Sequence, residues 1–148
     1  MNILKDSIGR EISRIAFKLR EYINSELKEY NISGGKIHFL MKIENKDGIC
    51  QEKLTDMLKV DKATTGRAIK KLVELGYVIR KRDEKDKRYY RLHLSEAGKN
   101  IAKIGKKVLE ETSEMLENGF KEEEKKAIRE LLVKINNNLE KARGGNYE

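Results

Sequence analysis

The densest run of chemically capable side chains is Asp83-Glu84-Lys85-Asp86-Lys87-Arg88, preceded by Arg80, Lys81 and Arg82 and followed by Arg91. Just upstream, Lys62, Arg67, Lys70 and Lys71 add further cations. From Lys59 to Arg91 twelve positive residues face five negative ones, a net +7 out of a formal +8 for all 148 residues. The flanks are therefore close to neutral. Cations gathered in one central segment suit contact with a polyanion, with a merely basic, soluble surface as the alternative. No Ser/His/Asp arrangement, carboxylate pair or phosphate-binding loop supports catalysis, so an enzyme is not expected. His38 and His93 lie far apart, and a single cysteine, Cys50, provides neither a disulfide framework within the chain nor a zinc-ligand cluster. No metal or other cofactor is expected.

Composition narrows the elements that position these residues. Charged residues make up 39% of the chain, aromatics only 6%, and proline is absent, which permits long helices and disfavours a large β-sandwich. The length suits one domain with its own core. Met1 to Arg20 alternates apolar and charged residues, unlike a signal peptide, and no segment approaches eighteen apolar residues, so a cytoplasmic protein with no membrane partner is expected.

Hydrophobic period then sets out the elements in order. Ile8, Ile12, Ile15, Leu19 and Tyr22 form a stripe on a helix from about Ile3 to Leu27. Ser33 opens a second helix carrying Ile37, Leu40 and Met41, closed by the turn Asn45-Lys46-Asp47-Gly48. A third helix is expected from Ile49 to Lys59. After the step Val60-Asp61, with Asp61 as N-cap, Thr65, Ala68, Ile69 and Leu72 share one face of a fourth helix while Ala63, Arg67, Lys70 and Glu74 share the other. Gly76 suits the left-handed residue after that helix. The period then becomes alternating: residues 77–82 and 88–94 read as a hairpin with a charged tip at 83–87. Ser95 caps a long helix with the stripe Ile101, Ile104, Val108 and Met115. Asn118-Gly119 interrupts it, and a last helix from about Lys121 to Ala142 carries Ile128, Leu131, Leu132, Ile135 and Leu139.

Helix, turn, helix and basic hairpin together make a winged helix-turn-helix within a mainly α (α+β) fold. A major groove about 12 Å wide admits one helix, and a projecting hairpin can lay cations along the neighbouring backbone or minor groove. The residues placed for DNA contact are Lys62, Ala63, Thr64, Arg67, Lys70 and Lys71 on the helix, and Arg80, Arg82, Lys85, Lys87 and Arg88 on the hairpin. Gly66 is unfavourable inside a helix; either its small size admits a close backbone approach to DNA or a weak position is simply tolerated.

These residues resemble the MarR (multiple antibiotic resistance regulator) family. The resemblance rests on Leu54 through Leu58, Val60-Asp61-Lys62-Ala63-Thr64-Thr65-Gly66-Arg67, Leu72-Val73-Glu74-Leu75-Gly76-Tyr77-Val78, Arg80, Asp83-Glu84-Lys85-Asp86-Lys87-Arg88 and Leu92-His93-Leu94-Ser95-Glu96-Ala97-Gly98. The helical layout matches over nearly the whole chain. The resemblance implies a regulator of transcription, a minor-groove role for Arg88 and a wing-stabilising role for Asp86; a surface ion pair is the plainer reading of those two. Family members often carry Ser, an aliphatic residue and Thr or Ser where this chain has Ala63, Thr65 and Gly66, which leaves its target sequence open.

The terminal helices, about 3–27 and 95–142, flank a DNA-binding lobe at about 33–94 in a single domain spanning 1–148. Their stripes, Ile8, Ile12, Ile15, Leu19, Ile128, Leu131, Ile135 and Leu139, are expected to join a second copy in a homodimer. The expected target is a near-palindromic operator in double-stranded DNA, with repression the expected outcome. The resemblance also implies release by a small aromatic or lipophilic effector, and Tyr22, His38 and Met41 are candidates to border its crevice. Cys50 reads first as a small buried residue, since the family's peroxide sensors carry their cysteine in the first helix. A winged helix that binds only proteins is the competing reading, although it has no need of so local a positive charge.

Overall fold

Helices form wherever apolar residues recur at intervals of three and four, with no proline to interrupt them. The computed structural model describes residues 7–144. Among the described residues six α-helices, α1 (Ile8–Leu27), α2 (Gly34–Asn45), α3 (Gln51–Leu58), α4 (Lys62–Glu74), α5 (Glu96–Leu116) and α6 (Glu122–Gly144), and a single 3-10 turn, Lys28–Tyr30, accompany three strands, β1 (Ile49–Cys50), β2 (Val78–Arg82) and β3 (Tyr90–Leu94). Of the described residues 72% are helical, the 3-10 turn included. The helix expected from about Ile3 is seen from Ile8; residues 3–6 of that expectation lie outside the described residues.

The described residues fall into two compact units that divide between Glu110 and Glu111. In the first, Leu27, Ile37, Leu40, Ile43, Leu54, Leu72 and Leu92 are wholly buried, with Ile69 nearly so, so α1 to α4 and the sheet share one core. In the second, Glu117 accepts a hydrogen bond from Arg129 and lies 3.8 Å from Lys125, which pairs with Glu122 at 3.1 Å. No described residue of α6 is buried.

One expectation needs correction. The third helix was expected from Ile49, but Ile49 and Cys50 form β1 and the helix starts at Gln51. Gly48 donates its N–H to the Leu92 carbonyl at 2.9 Å, and β1 runs antiparallel to β3 with Ile49 opposite Leu92 and Cys50 opposite Arg91. The strand order β1-β3-β2 places β3 in the middle. Two residues are too few to carry a period of their own, so their extended form is imposed by the partner strand.

The junctions follow local chemistry. Gly76, at φ 78°, ends α4 in the left-handed conformation that only glycine adopts freely. Ser95 accepts the Gly98 N–H at 3.0 Å and donates its hydroxyl to the Gly76 carbonyl at 2.5 Å, joining the start of α5 to the end of α4. Gly98 must be small, because a Cβ there would stand 1.9 Å from the Tyr77 carbonyl oxygen.

Gly98→Ala is expected to lower stability by about 2–3 kcal/mol through backbone overpacking. Gly66→Ala, whose Cβ would meet nothing within 4 Å, should raise it by roughly 0.5–1 kcal/mol through helix propensity. Thermal melts of the two variants must move in opposite directions.

Candidate nucleic-acid interface

The site begins with how α4 is held. The Asp61 side chain accepts the Thr64 N–H at 2.6 Å, capping the helix, and that bond above all holds its carboxyl below the usual carboxylate range. The hydroxyls of Thr55 on α3 and Thr65 on α4 hydrogen-bond at 2.9 Å, and Thr65 is fully buried. That bond ties the two helices of the turn across the core. Thr65, Ala68, Ile69 and Leu72 face inward as expected, and Lys62, Ala63, Arg67, Lys70 and Lys71 stand exposed with Thr64 half-buried. Arg67 Nη2 lies 3.4 Å from Thr64 Oγ1.

The wing is held by two carboxylates. Asp83 Oδ1 accepts the N–H groups of Lys85 and Asp86 at 2.8 and 2.9 Å, and its Oδ2 accepts Arg91 Nε at 2.6 Å. The Arg91 guanidinium foremost, and then these N–H donors, bring the Asp83 carboxyl down to about 2. Arg91 also reaches the Gly48 carbonyl at 3.3 Å, which ties the wing to the turn before β1. Asp86 in turn accepts three bonds from Arg88: its backbone N–H at 3.1 Å, Nε at 3.0 Å and Nη2 at 2.8 Å. The Arg88 side chain nevertheless remains 81% exposed, a cation fixed in direction yet open to a ligand. At the wing root His93 Nδ1 lies 2.9 Å from Asp47 Oδ1.

The register of β2 and β3 pairs Val78 with Leu94, Arg80 with Leu92 and Arg82 with Tyr90, so these six residues share one face of the hairpin. Near the core that face is apolar, with Val78, Leu92 and Leu94 buried; toward the tip it turns cationic and aromatic. The Arg80 guanidinium carbon sits 3.6 Å from the Tyr90 ring centroid and that of Arg82 sits 5.0 Å from it. Arg82 also donates to the Lys87 carbonyl at 2.6 Å.

Three concavities gather part of the expected contact residues. A cavity of about 170 Å³ between the start of α3 and the wing gathers Lys62, Arg80 and Arg88. A groove of about 420 Å³ beside α4 gathers Gly66, Lys70 and Arg80, and one of about 550 Å³ between α2 and α4 gathers Lys36, Arg67 and Lys71. Lys85 and Lys87 stand exposed on the wing. Sequence reasoning missed Lys36, Asp83 and Tyr90. The alternation of Arg80 and Arg82 opposite an aromatic could have signalled Tyr90 once the register was known. Gln51 was missed as well; it lines the first two concavities, and its Oε1 is buried with no hydrogen-bond partner among the described residues.

One of the three residues expected to border an effector crevice lines a cavity. His38 lines a cavity of about 230 Å³ with Leu19, Ile23 and Gly34, whereas Tyr22 and Met41 are not part of its lining. Along α1, Ile8, Ile12 and Ile15 are 67%, 36% and 54% exposed and Leu19 is half-buried. On α6, Ile128, Leu131 and Leu139 are exposed and Ile135 is half-buried.

A helix-turn-helix whose second helix buries one face and exposes cations on the other, followed by a basic hairpin, defines a winged helix. The sequence pattern of the MarR family matches residues 32–90. An HTH-type transcriptional regulator of Bacillus subtilis, YybA, is 37% identical over 92% of this chain and 91% of its own length. The structure of a MarR protein from Peptoclostridium difficile superimposes with a TM-score of 0.83 at 34% identity, covering 93% of this chain and 90% of that one. A MarR family regulator from Listeria monocytogenes, solved in complex with a 26mer DNA, gives 0.79 at 33% identity over 97% and 98% of the two chains. The chain belongs to the MarR family of transcriptional regulators.

The depressed Asp83 carboxyl makes wing stability depend on pH. A group whose pKa falls on folding contributes stability above its unfolded value, near 4, and loses that contribution as pH falls toward its folded value, here about 2. Asp83→Asn is therefore expected to be less stable than the parent at neutral pH, with the gap closing between about pH 4 and pH 2. Urea melts at neutral pH and near pH 2.5 check this; a gap of constant size at both would rule out the charged pair as its source.

Proposed function

We propose that the chain regulates transcription by binding double-stranded DNA as a homodimer, with α4 in the major groove and the wing along the adjacent minor groove. The observation that carries this reading is the two-sidedness of α4: Thr65, Ala68, Ile69 and Leu72 are buried while Lys62, Arg67, Lys70 and Lys71 are exposed beside a wing bearing Arg80, Arg82 and Arg88. The DNA complex of the Listeria relative supports it. Within this reading residues 1–148 act as one domain, in which helices α1, α5 and α6 serve dimerisation and flank the lobe at about 33–94. The apolar residues exposed along α1 and α6 support a second copy as the cover. Two recognition helices about 34 Å apart then read a near-palindromic operator in the cytoplasm, and the bound dimer represses. A small aromatic or lipophilic effector that favours a different spacing releases it.

Selection of bound sequences from random duplex DNA tests the central claim, with enrichment of an inverted repeat as the expected result. Light scattering at micromolar concentration should give twice the chain mass; a monomer mass there rules out the dimer.

Two substitutions separate the roles of the cations. Arg67→Ala should reduce discrimination between the selected operator and random DNA by about 1 to 3 kcal/mol, since Arg67 stands where base edges are reached. Equal weakening on both DNAs would mean that it meets only phosphate. Arg88→Ala should weaken binding strongly while leaving the melt and the dimer unchanged, with a larger effect on A·T-rich flanks than on G·C-rich ones. Lys85→Ala and Lys87→Ala should instead weaken all sites alike and lower the salt slope by about 0.9 for each phosphate that is no longer neutralised.

A further inference from the structure

The four arginines of the wing differ in whether a carboxylate holds them; Arg88 also lies 5.8 Å from the Tyr89 ring centroid. Arg88 and Arg91 are gripped by the carboxylates of Asp86 and Asp83. Arg80 and Arg82 have no carboxylate partner among the described residues and instead share the Tyr90 ring, at 3.6 and 5.0 Å from its centroid. The register explains how one ring serves both: Tyr90 lies directly opposite Arg82 and diagonally across from Arg80 on the same face. We propose that Tyr90 is a positioning residue for DNA binding, holding Arg80 and Arg82 as a preformed pair of cations on the face of the wing turned toward α3 and α4.

The chemistry favours a ring over an acid here. A carboxylate would occupy the N–H edge of a guanidinium and cancel its charge, whereas an aromatic face takes only the flat side and leaves for a phosphate the full positive charge, the in-plane N–H donors of Arg80 and those of Arg82 that the Lys87 carbonyl does not take. Two arginines two residues apart on one strand repel each other, and the negative face of the ring offsets part of that repulsion. Long side chains that are already ordered lose less freedom when they meet DNA. Arg80 gains most from this, because it lines both the cavity shared with Lys62 and Arg88 and the groove shared with Gly66 and Lys70. The tyrosine hydroxyl takes no part, so phenylalanine should serve as well.

This role rests on the DNA-binding reading, and the test separates the two. Tyr90→Phe, Tyr90→Val, Arg80→Gln/Arg82→Gln and the triple variant with Tyr90→Val are titrated with the selected operator and with random duplex DNA. Valine is chosen because it suits a strand and carries no ring. A stack at an exposed site is worth roughly two- to fivefold, so Tyr90→Val should weaken binding by about five- to twentyfold while Tyr90→Phe binds like the parent. In the background lacking both arginines, Tyr90→Val should make no further difference. In the free protein, the side-chain resonances of Arg80 and Arg82 should show ring-current shifts that vanish in Tyr90→Val and persist in Tyr90→Phe. Parent-like binding by Tyr90→Val overturns the role, as does an equal weakening in the arginine-free background, which would mean that the ring meets DNA itself or supports the fold. Should the parent bind neither duplex, the DNA reading falls and this role with it.

Discussion

Twelve positive residues within a stretch of thirty-three repel one another, and the lobe depends on a few acids placed to offset that repulsion without neutralising the surface. Asp61, Asp83 and Asp86 each accept backbone N–H groups where the chain turns. Each also acts on an arginine: Asp61 through the charge of Arg67 nearby, Asp83 by gripping Arg91 and Asp86 by gripping Arg88. One carboxylate thus performs two tasks, closing a turn and directing a cation. The depressed pKa values of all three follow from these interactions and keep them charged to lower pH than free carboxylates.

The directed cations can act together because the wing and α4 share one core. Leu92, in the central strand, is fully buried between Ile49 on one side and the residues of β2 on the other. Leu72 and Ile69 bury the inner face of α4 in the same cluster. The hairpin therefore cannot swing freely relative to the helix: its apolar root is packed into the core, and only its outer half, from Arg80 and Tyr90 to the tip, is left to meet a ligand. An isolated two-stranded hairpin would be marginal, and β1 adds a third strand at the point where Arg91 reaches the Gly48 carbonyl.

Two ways of holding an arginine coexist on this small surface. A carboxylate fork fixes the direction of Arg88 strongly but shares its donors, whereas a ring holds Arg80 and Arg82 by the flat face, leaving the edge of Arg80 open and that of Arg82 engaged, among the described residues, only through its one bond to the Lys87 carbonyl. Such a mixture suits a surface on which some cations must be aimed and others must stay fully available to phosphate.

Much of this protein was legible in its sequence, because helix period, capping and charge position act within a few residues. The two faces of α4, the Asp61 and Ser95 caps, the break at Gly76 and the basic hairpin were all local patterns, and each formed where the pattern placed it. Whatever depended on a distant partner was not legible. Ile49 and Cys50 carry no period of their own and became a strand because Leu92 and Arg91, more than forty residues on, offered them a ladder. Tyr90 read as one more β-prone residue until the register set it against Arg82, and Asp83 as one more charge in the tip until Arg91 folded back onto it. His38 lines a cavity with Leu19 and Ile23 of α1 and Gly34 of α2, a grouping across two helices that no spacing along either of them specifies. Local free energies select the elements; which side chains meet across them is decided only when the chain closes on itself and a shared core sets the register.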